Sequence, residues 1–395
     1  MRRTIVLLAT MALTMLVASG VALALPSETP DKTPMVNGTV RAIEQVGTNI
    51  WLGGKFTQVK QCSDSTNALN VSNLAVFDSE TNSCKDIIAP KLGGTGAEVW
   101  DMTLYGENVL IAGKFSSGSS STQKNLVLVN GKTGDVIRWY NSPSLKSVLA
   151  APDLGRIYGG GVSLTAFDKD SSKKLWTRAK TTVNITLYPD APTPGYRDLE
   201  LDGSTIWAAC ACDAVDGKAA KALVKLSTEG VQDTSSWLAE ADPASWGMSL
   251  VEANGALYLG AGGSDYLAKY DKSSPAPGAR VWRADTSGSV QVVEVMDGQL
   301  VIGGHFWEVA KESLNQFDES CGHGRSTELD PDGKCETRKG IAAYSFGGSL
   351  QDWSPTYAGK YSLVWALHVE GSRLHTGGEF LTVNGVTQNY YARLS

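Results

Sequence analysis

Seven segments along this chain repeat one pattern: an alternating apolar run, a tight polar turn, a second apolar run and a pair of small residues. They are RAIEQVGTNIWLGG from Arg41, WDMTLYGENVLIAG from Trp100, VLAAPDLGRIYGG from Val148 and RDLELDGSTIWAAC from Arg197. The series continues with WGMSLVEANGALYLG from Trp246, VVEVMDGQLVIGG from Val292 and WALHVEGSRLHTGG from Trp365. The first and last residues of a unit lie 12 to 14 positions apart in every case. Two short alternating runs around Gly, Asn or Asp predict a β-hairpin. A third run follows each hairpin, as in LAVFD from Leu74, LTAFD from Leu164 and IAAYS from Ile341. A polar turn and often a tryptophan come next, at Trp139, Trp176, Trp237, Trp282 and Trp353. Four short strands per unit of about 53 residues, with no long helical period, predict an all-β fold, a β-propeller. Seven four-stranded blades are expected, with six or eight as the alternatives. The last unit stops at its third run, so the stretch around Lys32 to Val36 is expected to add the outer strand and close the ring.

Residues 1–24 are a separate object. Arg2 and Arg3 precede an apolar run from Ile5 to Val17 and a small-x-small site at Ala22-Leu23-Ala24, the pattern of a secretory signal peptide. Residues 25–395 then form a single exported domain, whose net charge falls from -6 to -8 with the loss of two arginines. An acidic chain lacks the basic surface that sequence-independent nucleic-acid binding needs. No later apolar stretch is long enough to predict a membrane span, and a monomer is expected. Six cysteines in an oxidising compartment suggest disulfides. Their grouping pairs Cys62 with Cys84 and Cys321 with Cys335. Cys210 and Cys212 share one face of a strand, as a strained bridge or as two buried thiols.

Loop lengths separate two faces. Connections between strands one and two, and three and four, are tight. The others carry the extra length, notably 55–73, 178–196 and 305–340. Long loops in a compact domain are usually functional, so that face is the expected binding surface. Arg41, Trp100, Arg197, Trp246 and Trp365 begin first strands at its mouth, with Asp101, Asp198, Glu294 and His368 beside or below them. Aromatics with arginines suit a sugar or an anionic group; a packed rim with solvated charges is the plainer alternative. The glycine pairs, Phe56, Phe115, Phe306, Phe380 and the recurrent tryptophans read as packing between sheets. Asp330-Pro331-Asp332-Gly333 resembles part of a calcium loop, but Lys334 stands where a ligand belongs, so no metal is expected. The four histidines lack metal-ligand spacing, and no G-x-S-x-G, P-loop or H-E-x-x-H occurs. No cofactor and no catalytic residue is assigned.

The unit from Ile50-Trp51-Leu52-Gly53-Gly54-Lys55-Phe56 to Asn73-Leu74-Ala75-Val76-Phe77-Asp78 resembles the GG-x-F, or delta-sixty, repeats of secreted bacterial propellers. The segment from Val301 through Cys321 and Cys335 to Leu394 is similar to the C-terminal part of exported actinobacterial propellers. This resemblance implies a propeller and export, without an activity or catalytic residues. Units three to five depart from the pattern, and Cys210 and Cys212 replace its Gly and Phe. The stretch from Asn125 to Trp139 resembles the repeats of pyrroloquinoline-quinone propellers, some of which are dehydrogenases. Their adjacent cysteine pair is interrupted here by Ala211. The expected function is therefore non-catalytic binding of an extracellular or cell-envelope glycan or protein through the long-loop face. The alternative is an extracellular enzyme, a quinone-dependent oxidoreductase or a polysaccharide hydrolase or lyase.

Overall fold

The computed structural model describes residues 25–84, 89–117, 120–187, 192–233, 245–273, 280–314, 321, 333–359 and 361–395. Residues 1–24, expected to be a signal peptide, Trp237 and Asp330 to Asp332 lie outside these residues. The described chain is all-β, with antiparallel pairing throughout its named strands and one 3-10 turn at Pro152–Leu154.

Each predicted hairpin forms. The first strands of seven sheets are Thr39–Val46, Leu92–Tyr105, Ser147–Ala151, Gly195–Asp202, Trp246–Ala253, Val290–Met296 and Val364–Glu370. Each pairs with the next run, which pairs in turn with a third strand such as Leu74–Asp78 or Tyr391–Leu394. The hairpin turns use the chemistry their sequences offer: Asp297 and Gly298 both take positive φ, at 47° and 75°. That geometry matches the twist of the flanking strands. A fourth strand is present in the second, third and fifth sheets, at Val136–Trp139, Lys174–Arg178 and Arg280–Asp285. Among the described residues, isolated bridges at Gln232 and Leu350 stand at that position in the fourth and sixth sheets.

The core is divided into seven apolar layers, each between neighbouring sheets. Trp51 and Val76 of the first sheet pack with Met102 and Ile111 of the second. The pattern repeats down the chain, and a seventh layer joins Val40, Ile43 and Phe77 of the first sheet to Ala366 and Tyr391 of the last. Trp139, Trp176, Trp282 and Trp353 belong to these layers. The first glycine of a pair explains how closely the sheets approach. A Cβ on Gly53 would lie 2.6 Å from Val99 of the next sheet, and one on Gly303 would lie 2.6 Å from Val364. On Gly377 it would lie 2.5 Å from Val40, so the last sheet meets the first as the others meet their neighbours.

The chain end is held differently from the expectation. Pro30 bridges to Leu394, Asp31 N donates to Arg393 O at 2.8 Å, and Ser27 N donates to Ser395 O at 2.9 Å. Residues 27–31 therefore flank the last strand. Met35–Val36 instead pairs with Gln58–Lys60 in a small outer sheet. The Arg393 guanidinium fixes this choice by reaching Asp31 Oδ2 at 2.6 Å and the carbonyl of Ser79.

Among the described residues, four small accessory sheets form from connections that enter the first strands or join the second strands to the third. One joins residues 35–36, 58–60 and 69–70; a second joins 181–182, 214–215 and 218–219. The others join 308–310 with 335–337, and 357–358 with 382–383 and 386–387. Disulfides tie Cys62 of the 55–73 insertion to Cys84, beyond the third strand, and join Cys321 to Cys335 within the 305–340 insertion. Cys210 and Cys212 are also bonded to each other, so the bridge alternative holds.

Candidate functional site

The inner strands carry a recurrent irregularity that builds a cavity. In the first sheet Val40 faces Gly54 and Ala42 faces Gly53, which leaves Arg41 as an extra residue, a β-bulge. Trp100, Arg197, Met248, Gln291 and Trp365 are the extra residues of five other first strands. The third sheet pairs regularly, and Lys146, just before its first strand, takes the place. The second glycine of a pair makes room for the bulge: a Cβ on Gly54, Gly304 or Gly378 would strike the carbonyl of Thr39, Ser289 or Leu363. The Gly-Gly signature thus serves both sheet packing and the aim of the inner side chains.

These seven residues, with those three positions further on, line one cavity of about 600 Å³. Glu44, Thr103, Leu149, Glu200, Val251, Glu294 and His368 form the lower tier. Strands start at the long-loop end, so the upper tier lies at that mouth, where Pro192 of the 178–196 insertion joins the lining.

The upper tier is cationic and stacked. The Arg41 guanidinium carbon lies 4.1 Å from the Trp100 ring centroid and 4.2 Å from that of Trp365. Lys146 Nζ is 2.8 Å from the Trp100 centroid. Such contacts contribute about 0.5–2 kcal/mol each and fix long side chains. Arg41 Nε also bonds Glu98, and Arg197 Nη2 donates to Thr193 O at 2.8 Å. Burial, with Arg197 and Arg41 close by, pushes the Lys146 ammonium down to about 7.

The lower tier is acidic. Burial is the main cause that pushes Glu44 and Glu294 up to about 7 and Glu200 up to about 8, with neighbouring carboxylates adding to it. Glu44 and Glu294 each accept from the next residue's amide, Gln45 N and Val295 N, at 2.9 Å. His368 is held neutral, pushed down to about 4 by burial and by His375.

Of the residues expected at the mouth, the cavity gathers Arg41, Trp100, Asp101, Arg197, Asp198, Trp365 and His368. Trp246 is buried outside the lining, and Met248 stands in its place. Asp101 and Asp198 touch the cavity but have a different task. Asp101 accepts from Met102 N at 2.8 Å and from Val148 N of the next sheet at 2.7 Å. Asp198 accepts from Leu199 N and Leu250 N at 2.9 Å and from Ser249 Oγ at 3.1 Å. Ser249 Oγ accepts in turn from Val293 N of the following sheet at 3.1 Å. These side chains staple neighbouring inner strands together.

Lys146, Glu98, Met248, Gln291, Glu44 and Glu200 were not singled out from the sequence. The available signal was spacing. Counted from the bulge residue, Arg41–Gly54, Trp100–Gly113, Arg197–Cys210, Met248–Ala261, Gln291–Gly304 and Trp365–Gly378 all span one common interval, with the lower-tier residue three positions in. Among the described residues no group of three His, Cys, Asp or Glu is placed to hold a metal ion.

No known family's sequence profile matches the chain, and no curated protein matches it. Solved structures do. Raptor from Chaetomium thermophilum aligns over 93% of this chain and 29% of its own, at 11% identity and a TM-score of 0.53. The extracellular domain of BT4673 from B. thetaiotaomicron aligns over 93% of this chain and 40% of that one, at 10% identity and a TM-score of 0.53. The chain thus spans well under half of either. At such identity the likeness is one of fold, consistent with an all-β, propeller-like architecture.

Proposed function

We propose that this protein is a non-catalytic binding protein, a seven-bladed β-propeller that takes an extracellular or cell-envelope glycan or protein at its long-loop face. The seven sheets are read as blades of a closed disc, and the 27–31 segment as the clasp beside the last strand. Residues 1–24 are read as the export leader, and the GG-x-F repeats as placing the chain with secreted bacterial propellers.

One observation carries the binding reading. Every inner strand delivers a side chain to a single cavity that opens among the insertions, six of them by a bulge. Bulges re-aim side chains and are frequent beside functional sites. The surrounding insertions carry exposed apolar side chains: Ile185, Leu187, Trp307 and Leu381. Two of the insertions are pinned by disulfides, which lowers the cost of ordering them on binding. Glycan and protein arrays probed with the mature protein test the reading. Saturable binding that weakens when cavity residues are changed supports it; no ligand on either array overturns it.

A specific feature favours the enzyme alternative of a polysaccharide hydrolase. Burial raises three cavity carboxyls, Glu44 and Glu294 to about 7 and Glu200 to about 8, into the range where a general acid can hold its proton near neutral pH. Release of reducing sugar from a polysaccharide panel, lost in Glu200→Gln, would decide for that alternative.

A further inference from the structure

The upper tier of the cavity has more buried donors than acceptors. Arg41 Nη1, Arg197 Nε and Trp365 Nε1 are all buried without a hydrogen-bond partner, and all three side chains line the same cavity. A buried donor left unsatisfied costs about 1–3 kcal/mol, more when it is charged. Three of them at one mouth make a standing demand for an acceptor. Charge points the same way. Arg41, Lys146 and Arg197 converge on the mouth, and among the described residues Glu98 is the carboxylate paired with one of them.

The lower tier sets the rest of the ligand. Glu44, Glu200 and Glu294 present carboxyl oxygens, and Thr103 adds a further polar group. This floor of raised carboxyls suits sugar hydroxyls, and it repels an anion only as it ionises. A planar, singly charged carboxylate matches the fork of an arginine side chain, and a cavity of about 600 Å³ falls in the range of small-ligand sites.

We propose that the cavity binds an acidic saccharide, with a sugar carboxylate at Arg41, Arg197 and Lys146 and the sugar hydroxyls on Glu44, Glu200 and Glu294. The proposal rests on the binding reading above and names the chemistry of that site. It carries a pH signature. A bound anion offsets the repulsion that Arg41 and Arg197 exert on Lys146, so binding takes up a proton there. Glu98, which faces Lys146 and favours its charged form, stays paired with Arg41, and Lys114 adds to the repulsion. The floor carboxyls ionise over the same range and would repel the ligand as pH rises. Both effects weaken binding between pH 6 and pH 8.

The experiment is titration calorimetry of the full mature protein with digalacturonate, its dimethyl ester, a neutral disaccharide and glucose 6-phosphate, at pH 6 and pH 8. Arg197→Gln and Lys146→Met are run beside the parent, with melting temperature as the check on folding. The expected result is saturable binding of digalacturonate, tighter at pH 6. Esterification or Arg197→Gln should weaken it by about tenfold or more, the size of one charged hydrogen bond. Equal binding of the ester, tighter binding of the sugar phosphate, or a folded Arg197→Gln variant of unchanged affinity would overturn the carboxylate assignment. If digalacturonate does not bind while the arrays give a ligand, the sugar-acid proposal falls and the binding reading stands. If neither gives a ligand, both fall.

Discussion

Replacing Glu200 by Gln should stabilise this protein at alkaline pH and leave it unchanged in acid. The side chain lies in the lower tier of the cavity, where burial comes first and Asp198, Glu252 and Glu294 add repulsion, raising it from 4.5 to about 8. Between those values the folded state holds a proton that the unfolded chain has lost. Stability therefore falls as pH rises from about 4.5 to about 8, because the unfolded state binds fewer protons. Each tenfold difference in proton affinity between the folded and unfolded states corresponds to about 1.4 kcal/mol, so the full effect is on the order of 3–5 kcal/mol. Part of it belongs to Glu294, whose own ionisation follows the same field. Gln keeps the shape and removes the charge, so a gain of roughly 2–4 kcal/mol is expected above pH 8 and none below pH 4.5. Denaturant unfolding at pH 4.5 and pH 8.5 measures both ends. An equal change at the two pH values, or a variant weaker than the parent at pH 8.5, would refute the argument that burial and repulsion set this carboxyl.

Other changes test the frame around the cavity. Asp198→Ala should cost about 1–3 kcal/mol by stripping Leu250 N of its acceptor, while Ser249→Ala, which loses the bond from Val293 N, should cost less; equal losses in urea unfolding would contradict this. Gly377→Val places a side chain against Val40 and should destabilise by roughly 1–3 kcal/mol or more, read as a lower melting temperature with early loss of contact between the last sheet and the first by hydrogen exchange. Breaking Cys62–Cys84, which closes a 22-residue separation, should cost about 2–4 kcal/mol and open the 55–73 insertion to protease before the rest of the molecule.

The hairpins, their turns and the third strands were legible in the sequence because alternation and turn chemistry are local. Asp297-Gly298 specifies its turn wherever the chain goes, and LAVFD forms a strand because one face of it must be covered. The pairing of Cys62 with Cys84 and of Cys321 with Cys335 followed from grouping along the chain. The accessory sheets were not read from the sequence, because in three of the four a segment of one connection pairs with a segment of another.

The cavity was not legible in the same way. Its upper tier depends on a one-residue slip between two strands, and a slip leaves no mark in an apolar pattern read strand by strand. Counting from Trp246 instead of Met248, or from Val292 instead of Gln291, misses the side chain that points inward. Asp101 and Asp198 looked like binding groups for the same reason. Only the approach of the next sheet shows that their oxygens are occupied by Val148 N and Leu250 N. The clasp also shifted, from 32–36 to 27–31, because Arg393 reaches Asp31 and Ser79 from a strand more than 300 residues away. Local preference fixed the strands of this protein, and the long-range packing of sheet on sheet decided which side chains meet.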